Sequence, residues 1–386
     1  MRRVLLVHNS PRVGRYFSAL RSAITEPEIL GCRVLARLPR PGPPPGAVGE
    51  IIDYGMRRKR ARPHYGRLRI AATERAYRAA ARLHYGHAAG WIRRTRPDAV
   101  GVWGGNAVDA RAVVVAARDA GLPCFRFENG FLPDTTQMDA KGVNAASSLP
   151  RDPAFYERRG VVGAAGLPAR ITPRPPRRGK AALPAIRLPP RYIFAPFQVG
   201  LDSQLLLHSP WIRGMHHFFD VLTRAAEAAP VSGRAPVLVF KEHPSCPARY
   251  PDLGARAAGA GRVHFANGNA TDGIIRGAAG VVAVNSSVGT ESLLLGKPVL
   301  ALGEAVYEVA GVASSARSTD AVAEWLAAVW EDRPPAAPLR AAFVDFLGGE
   351  YLIPGPHRSP GPEHFRAVGA RLRSPGGTGW GEDWDA

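Results

Sequence analysis

Short apolar runs that end in polar loops recur along the chain and are the main structural signal in this sequence. The first is Val4-Leu5-Leu6-Val7, which leads into His8-Asn9-Ser10. A short apolar run of this kind is typical of a buried strand in a parallel sheet. Similar runs follow at residues 99–103 and 124–127. We predict a strand at each of these positions.

Segments of helical composition separate these strands. Residues 71–94 are rich in alanine, and residues 108–120 precede Gly121-Leu122-Pro123, which would end a helix. A second series of candidate strands lies at 192–195, 237–240, 263–265, 281–284 and 298–302. Alternating strands and helices predict parallel sheets. We therefore predict an α/β fold with two Rossmann-like, doubly wound domains that face a cleft.

A chain of 386 residues is long enough for two domains. Residues 151–190 contain many prolines and nine Arg or Lys against two acids, which indicates a boundary. We predict a first domain over 1–165, a basic proline-rich linker over 166–190 and a second domain over 191–340. Residues 341–386 are predicted as a C-terminal segment that crosses back to the first domain, with a partly disordered tail.

The charge balance limits the classes of partner. The chain carries 51 Lys plus Arg against 32 Asp plus Glu, a net charge of +19, and residues 57–69 hold seven Arg or Lys and no acid. Such a surface favours polyanions: nucleic acid, anionic lipid or an acidic substrate. No RNA-binding aromatic signature or zinc finger accompanies the charge, so we expect no nucleic-acid partner.

Cysteine content and hydropathy bear on location. Cys32, Cys124 and Cys246 are too few and too far apart for a disulfide framework, which indicates a reducing compartment. No stretch approaches the roughly 18 apolar residues of a membrane-spanning helix. We expect a cytoplasmic protein that attaches peripherally to the inner face of the cytoplasmic membrane through its basic segments.

Two carboxylates follow candidate strands, where open α/β sheets place their binding groups. Glu128 lies in Phe127-Glu128-Asn129-Gly130-Phe131, and it could be a general acid or base or a simple surface-turn residue. Asp202 lies in a loop with Gln198 and Gln204, and it could be a nucleophile or the N-cap of a helix.

Two further clusters could hold a phosphate. Lys241 and His243 are separated by one residue at a strand end, so they point to the same side of a continuing strand. The run 284–291 passes from a strand through Asn285, Ser286 and Ser287 into a helix, whose N-terminus could seat an anion. Each cluster also has a purely structural interpretation, which for the serines is helix capping.

Several chemistries lack their motifs. The sequence has no G-x-x-x-x-G-K-[ST] loop, no properly placed G-x-G-x-x-G, no H-E-x-x-H and no Cys/His set at zinc spacing. These absences argue against P-loop hydrolysis, dinucleotide redox chemistry and zinc catalysis. We predict chemistry without a metal or a cofactor.

Five segments in chain order resemble the capsule polysaccharide biosynthesis and export family: ENGF, MDAKGVNAASSLPRD, PFQVGLDSQ, KEHP and NSSVGTESLLLGKPVLALGEAVYEVAG. The resemblance covers about residues 98–312. That family includes bacterial retaining β-Kdo glycosyltransferases, which look like GT-B enzymes that use CMP-Kdo to build an oligo-Kdo linker on phosphatidylglycerol. The resemblance therefore implies a CMP-sugar donor and a lipid acceptor at the inner membrane surface.

The resemblance also implies residue roles. Asp202 would be the nucleophile, Glu128 the acid or base that activates the acceptor hydroxyl, and His243 a proton donor to the leaving CMP. The residues implied in nucleotide-sugar binding are Lys241, Asn285, Ser286, Ser287, Gln198 and Glu291. Those implied in further acceptor or donor contacts are Asn129, Gly130 and Asn144.

Two other functions remain open on the sequence. The first is transfer of another CMP-activated acidic sugar, such as a sialic acid, or transfer to a different acceptor. The second is a non-catalytic partner in capsule assembly or export that keeps the fold and docks to membrane, polymer or other assembly proteins through its basic faces.

Overall fold

The computed structural model describes residues 1–33, 42–62, 64–163 and 183–373. The strands are β1 (Arg3–His8), β2 (Glu28–Arg33), β3 (Ala99–Trp103), β4 (Cys124–Asn129), β5 (Thr135–Asp139), β6 (Ile193–Pro196), β7 (Leu238–Lys241), β8 (Val263–Phe265), β9 (Gly280–Ala283), β10 (Val299–Ala301), β11 (Ser314–Ser315) and β12 (Ile353–Pro354). The α-helices are α1 (Pro11–Ala23), α2 (Ala47–Arg60), α3 (Arg67–Thr95), α4 (Val108–Asp119), α5 (Pro153–Arg159), α6 (Ser203–His208), α7 (Met215–Ala228), α8 (Pro251–Ala260), α9 (Thr271–Gly277), α10 (Ser287–Leu294), α11 (Thr319–Trp330), α12 (Arg340–Phe346) and α13 (Pro362–Arg373). Short helices also occur at Asn144–Ala146 and Leu347–Tyr351.

The chain divides into two compact units, each with one sheet. Unit 1 combines Met1–Ser148 with the residues from Tyr351 onward, and unit 2 is Leu149–Glu350. Both are α/β with Rossmann-like, mainly parallel sheets, as predicted, and every predicted strand corresponds to an observed one. In the part of the chain that the structure describes, no helix is both long and apolar enough to span a membrane.

The sheet of unit 1 has the strand order β12-β5-β4-β3-β1-β2. Strands β1 to β4 are parallel, whereas β5 and β12 are antiparallel to their neighbours. Alternate residues of β1 face opposite layers, so Leu5 packs with α2 to α4 and Leu6 packs with α1 and α13. The sequence analysis did not predict β2, β5 or β12.

The sheet of unit 2 has the strand order β8-β7-β6-β9-β10-β11, and all its neighbouring pairs are parallel. Numbered from its own first strand, this is 3-2-1-4-5-6, the order of a dinucleotide-binding fold. The strands are almost fully buried; Ile193 and Phe194 of β6 are 0% exposed because helices cover both faces.

The observed division differs from the predicted boundaries at residues 165 and 341. Helix α5 belongs to unit 2 because it packs on α12: Tyr156 contacts Phe343 and Phe346, and Arg159 pairs with Asp345 at 2.9 Å. The chain returns to unit 1 only at Tyr351. Most of the predicted linker, residues 166–182, and the predicted tail, 374–386, lie outside the described residues.

A buried carboxylate in unit 1 connects this returning segment to the body of the unit. Asp139, at the end of β5, is 0% exposed. It accepts hydrogen bonds from the backbone N–H groups of Lys141, Gly142 and Ser148 and from the hydroxyls of Ser148 and Tyr351, at 2.7 to 3.0 Å. Burial and this carboxylate raise the pKa of Tyr351, so its hydroxyl remains a donor.

We expect Asp139→Asn to destabilise unit 1, because an amide nitrogen would face donors that now share a buried carboxylate. A loss of about 3 kcal/mol is expected for a buried, fully bonded charge, equivalent to about 6–12 °C in the melting temperature of a unit this size. The measurement is thermal unfolding. The control is Asp53→Asn, which removes only an exposed ion pair with Arg57. Equal shifts for both variants would contradict the role of Asp139.

Candidate active site

Three of the four predicted polar clusters meet at the carboxyl edge of the sheet in unit 2. They follow β6, β7 and β9, and β6 lies between the other two strands. The strand order reverses between β6 and β9, which is the position where doubly wound sheets form a ligand crevice. The loops that begin at Phe197 and Val284 border this switch point.

Two amide side chains join these loops across the switch point. Gln198 donates through Nε2 to Oδ1 of Asn285 (2.9 Å), and its Oε1 accepts from the backbone N–H of Asn285 (3.0 Å). The Nδ2 group of Asn285 donates to the carbonyls of Gln204 and His208, both at 2.9 Å. Both amides are buried, and both Nδ2 hydrogens of Asn285 are engaged within the protein. We assign the pair a positioning role rather than direct nucleotide contact.

Asp202 is the N-cap of α6, as one of its two interpretations predicted. Its Oδ1 accepts from the backbone N–H of Gln204 (2.9 Å) and from the hydroxyl of Ser203 (3.3 Å). The side chain is exposed, and its Oδ2 has no hydrogen bond among the described residues. Capping therefore fixes the direction of the carboxylate and leaves one oxygen open to solvent.

The two cations at the end of β7 differ in environment. The ammonium of Lys241 donates to the carbonyls of Asn267 (2.8 Å), Asn269 (2.7 Å) and Ala266 (3.4 Å). An ammonium has three donors, so these contacts give Lys241 a structural role in the loop after β8. We therefore withdraw it from the predicted phosphate-binding set.

The ring of His243 is held in a defined tautomer. The backbone N–H of Ser245 donates to Nδ1 of the His243 ring (3.1 Å), and the side chain is half-buried. A neutral imidazole that accepts at Nδ1 carries its hydrogen on Nε2. His243 can therefore donate a hydrogen bond from Nε2.

Helix α10 begins at the same edge. Ser286 is its N-cap and accepts from the N–H of Val288 (3.2 Å), while Ser287 occupies the first helical position with a partly exposed side chain. Tyr307 packs over this turn, since a Cβ on Gly289 would lie 2.2 Å from its ring. Glu291 is only 4% exposed, which places it in the interior rather than at the surface of the crevice.

Sequence reasoning missed a pair at this edge. Nδ1 of His208 lies 2.9 Å from Oε2 of Glu304, and the N–H of Glu304 donates to the carbonyl of His208. Glu304 lies three residues after the end of β10, and this strand-end position is the same signal that identified the other clusters and could have found the pair.

The fourth predicted cluster lies in unit 1, at the end of β4. Oε1 of Glu128 accepts from the N–H and from Nδ2 of Asn129, both at 2.9 Å, and the Glu128 side chain is half-buried. Gly130 has an ordinary φ; it is required instead because a Cβ there would lie 1.8 Å from Oγ1 of Thr135.

Asn144 is connected to the same turn through a buried amide. Nε2 of Gln137 donates to the carbonyl of Asn129 (2.7 Å) and to Oδ1 of Asn144 (3.1 Å). The structure thus groups Asn129, Gly130 and Asn144. Throughout the described ranges, no three His, Cys, Asp or Glu side chains are clustered so that they could hold a metal ion.

Comparisons with known proteins identify relatives of this chain. The model of the family "capsule polysaccharide biosynthesis protein" matches residues 98–179 and 177–347. Protein FixF of Sinorhizobium fredii is 38% identical over 253 residues, which cover 64% of this chain and 58% of FixF. The capsule polysaccharide export protein KpsS of Escherichia coli is 26% identical over 261 residues, 51% of this chain and 64% of KpsS. The chain thus spans less than two thirds of both relatives.

A similar solved structure is that of Thermosulfurimonas dismutans KpsC, described as a beta Kdo 2,7 transferase. Its TM-score is 0.44 at 16% identity, with 91% of this chain and 92% of that chain covered.

We expect Lys241→Met to reduce stability by about 1–3 kcal/mol, because three carbonyls of the loop after β8 lose their donor, and to leave CMP affinity nearly unchanged. The matched variant is His243→Gln, for which the opposite result is expected: lower CMP affinity and a smaller change in melting temperature. Calorimetric titration with CMP and thermal unfolding measure both quantities. A stable Lys241→Met protein that fails to bind CMP would return Lys241 to the phosphate site.

Proposed function

The chain belongs to the capsule polysaccharide biosynthesis protein family, and on that premise we propose that it is a retaining glycosyltransferase. The proposed reaction moves Kdo from CMP-β-Kdo to a lipid acceptor of the phosphatidylglycerol type. The observation that carries the proposal is the grouping of a directed carboxylate, a histidine donor and a helix N-terminus at the carboxyl ends of three neighbouring strands. These three elements are Asp202, His243 and the start of α10 at Ser286.

The proposed first step uses residues of unit 2. The open Oδ2 of Asp202 attacks the anomeric carbon, the bond from that carbon to the CMP phosphate oxygen breaks, and a glycosyl ester forms. The α10 N-terminus and the Ser287 hydroxyl stabilise the negative charge on the phosphate. His243 donates a hydrogen bond from Nε2 to the leaving oxygen, and CMP departs as an anion.

The proposed second step releases the enzyme. The acceptor hydroxyl attacks the anomeric carbon and displaces Asp202, while Glu128 takes the hydroxyl proton, the role that the resemblance implies. Two successive inversions give net retention of configuration. The donor sugar is proposed from the resemblance of the five sequence segments.

We further propose that unit 1 meets an anionic membrane through the α2–α3 tip, defined as residues 57–69. Leu68 is 89% exposed, and Arg67 and Arg69 flank it in the first turn of α3. Cations at a helix N-terminus oppose the helix dipole, so helix stability does not explain them. An exposed leucine between two arginines is suited to an anionic lipid surface.

The donor is tested by measuring CMP release from a panel of CMP-sugars with the purified chain. We expect release from CMP-Kdo that depends on a lipid acceptor. Activity only with CMP-sialate would replace the Kdo assignment. No release from any donor, with an intact fold, would favour the non-catalytic capsule-assembly role.

The variant Asp202→Asn separates capping from catalysis. Asparagine caps helices about as well as aspartate, so we expect the melting temperature to remain unchanged while CMP-Kdo-dependent transfer falls by at least about a thousandfold, as for loss of a nucleophile. Asp202→Ala should lose both activity and about 1 kcal/mol of stability. Normal transfer by Asp202→Asn would remove the nucleophile assignment.

Membrane attachment is tested by flotation with phosphatidylglycerol vesicles. A variant carrying Arg67→Gln, Leu68→Ser and Arg69→Gln should lose about 2 kcal/mol of binding from its two charges alone, roughly thirtyfold. The control, Arg234→Gln with Arg276→Gln, removes equal charge from unit 2. Equal loss in both, or binding that is insensitive to salt and lipid charge, would contradict docking through the α2–α3 tip.

A further inference from the structure

The carboxyl edge of the sheet in unit 1 has a switch point of its own. The parallel strands run in the order β2-β1-β3-β4, so the winding direction reverses between β1 and β3, where a crevice is expected. Val7 of β1 pairs with Val102 of β3. By the same register, the next residues, His8 and Trp103, lie side by side at the strand ends.

The returning C-terminal segment brings a third ring to this position. The ring centroid of His357 lies 4.4 Å from that of Trp103, and His357 is only 7% exposed. It makes no hydrogen bond with any described residue, although its ring nitrogens are not sealed from solvent. These nitrogens can therefore form hydrogen bonds with water or with a ligand that reaches this position from solvent.

His8 provides a second imidazole at these strand ends. Its Nδ1 is buried and has no hydrogen-bond partner among the described residues. The ring lies so close to α1 that a Cβ on Gly14 would be 2.6 Å from its Cε1 atom. The glycine therefore allows the imidazole to pack against the first turns of this helix.

The charges around these rings favour an anion. Arg12 lies in the first turn of α1 and Arg358 follows His357; both are exposed, and neither has a carboxylate partner among the described residues. Both guanidinium charges add to burial in lowering the pKa of His357, to about 4, so the ring is neutral and keeps one N–H donor. The N-terminus of α1, capped by Ser10, contributes positive potential as well.

We propose that Arg12, Arg358 and His357, with the N-terminus of α1, form an oxyanion subsite that binds the phosphodiester of the acceptor. Trp103 supplies an apolar wall beside the anion, and His8 supplies a second imidazole. That the bound anion belongs to the acceptor rests on the proposed function. That these residues bind a phosphodiester does not depend on the proposed function. A free phosphate has the same chemistry, and the experiment below separates the two sources.

The experiment is calorimetric titration of the full chain, without donor, with three soluble probes: glycerophosphoglycerol, inorganic phosphate and glycerol. We expect binding of glycerophosphoglycerol and none of glycerol. The variant Arg12→Gln with Arg358→Gln should weaken glycerophosphoglycerol about tenfold or more, since charge-assisted hydrogen bonds are lost. The matched control, Arg21→Gln with Arg93→Gln, removes two exposed, unpaired charges from the same unit and should bind like the parent.

A ring variant separates the imidazole from bulk charge. His357→Phe keeps an aromatic ring beside Trp103 and should weaken the phosphodiester while the melting temperature stays near that of the parent. If this variant does not fold, the arginine pair alone decides, because both residues are exposed.

Three results would overturn the proposal: no binding of glycerophosphoglycerol by the parent, equal loss in the charge-matched control, or tighter binding of inorganic phosphate than of the diester. None of them depends on a donor sugar. Failure of the CMP-release assay would therefore leave the subsite standing, and failure of the titration would leave the transferase proposal standing.

Discussion

The reciprocal amide pair between Gln198 and Asn285 is the constraint on which the candidate site of unit 2 depends. The pair joins the loops after β6 and β9, the two parallel strands between which the strand order reverses. It extends through Asn285 to the carbonyls of Gln204 and His208. Each of these buried groups would cost about 1–3 kcal/mol if left unpaired. The loops that carry Asp202 and Ser286 are therefore fixed by the protein itself, before any ligand is present.

Much of the fold could be predicted because its signals are local. Buried parallel strands such as β6 and β9 are short, wholly apolar and followed by polar loops, so their positions and the residues at their carboxyl ends could be read together. That rule identified Asp202, His243 and Ser286. It also indicated two domains, since the strand series is interrupted by a basic, proline-rich stretch.

The remainder depended on contacts between distant residues, which no local pattern shows. Lys241 reads as a phosphate ligand at a strand end, yet its ammonium is used by carbonyls 25 to 28 residues away. The residue at which the chain returns to unit 1 likewise depends on a contact between distant residues, the hydrogen bond between Tyr351 and Asp139, which are 212 residues apart. Strands β5 and β12 were missed for a related reason: they extend the sheet antiparallel, and Ile353–Pro354 is too short to leave a pattern.

The geometry of Asp202 determines where the proposed catalysis must find its strength. The N-cap hydrogen bond fixes the carboxylate through Oδ1, which lowers the entropic cost of positioning it for attack. The same hydrogen bond withdraws negative charge from the nucleophile. Most of the barrier must then be lowered at the leaving group. The Nε2 hydrogen of His243 and the N-terminus of α10 are the groups suited to that task, because both act on charge that develops only as the phosphate departs. One carboxylate can thus both cap α6 and act as the nucleophile, provided that the groups around the phosphate lower most of the activation barrier.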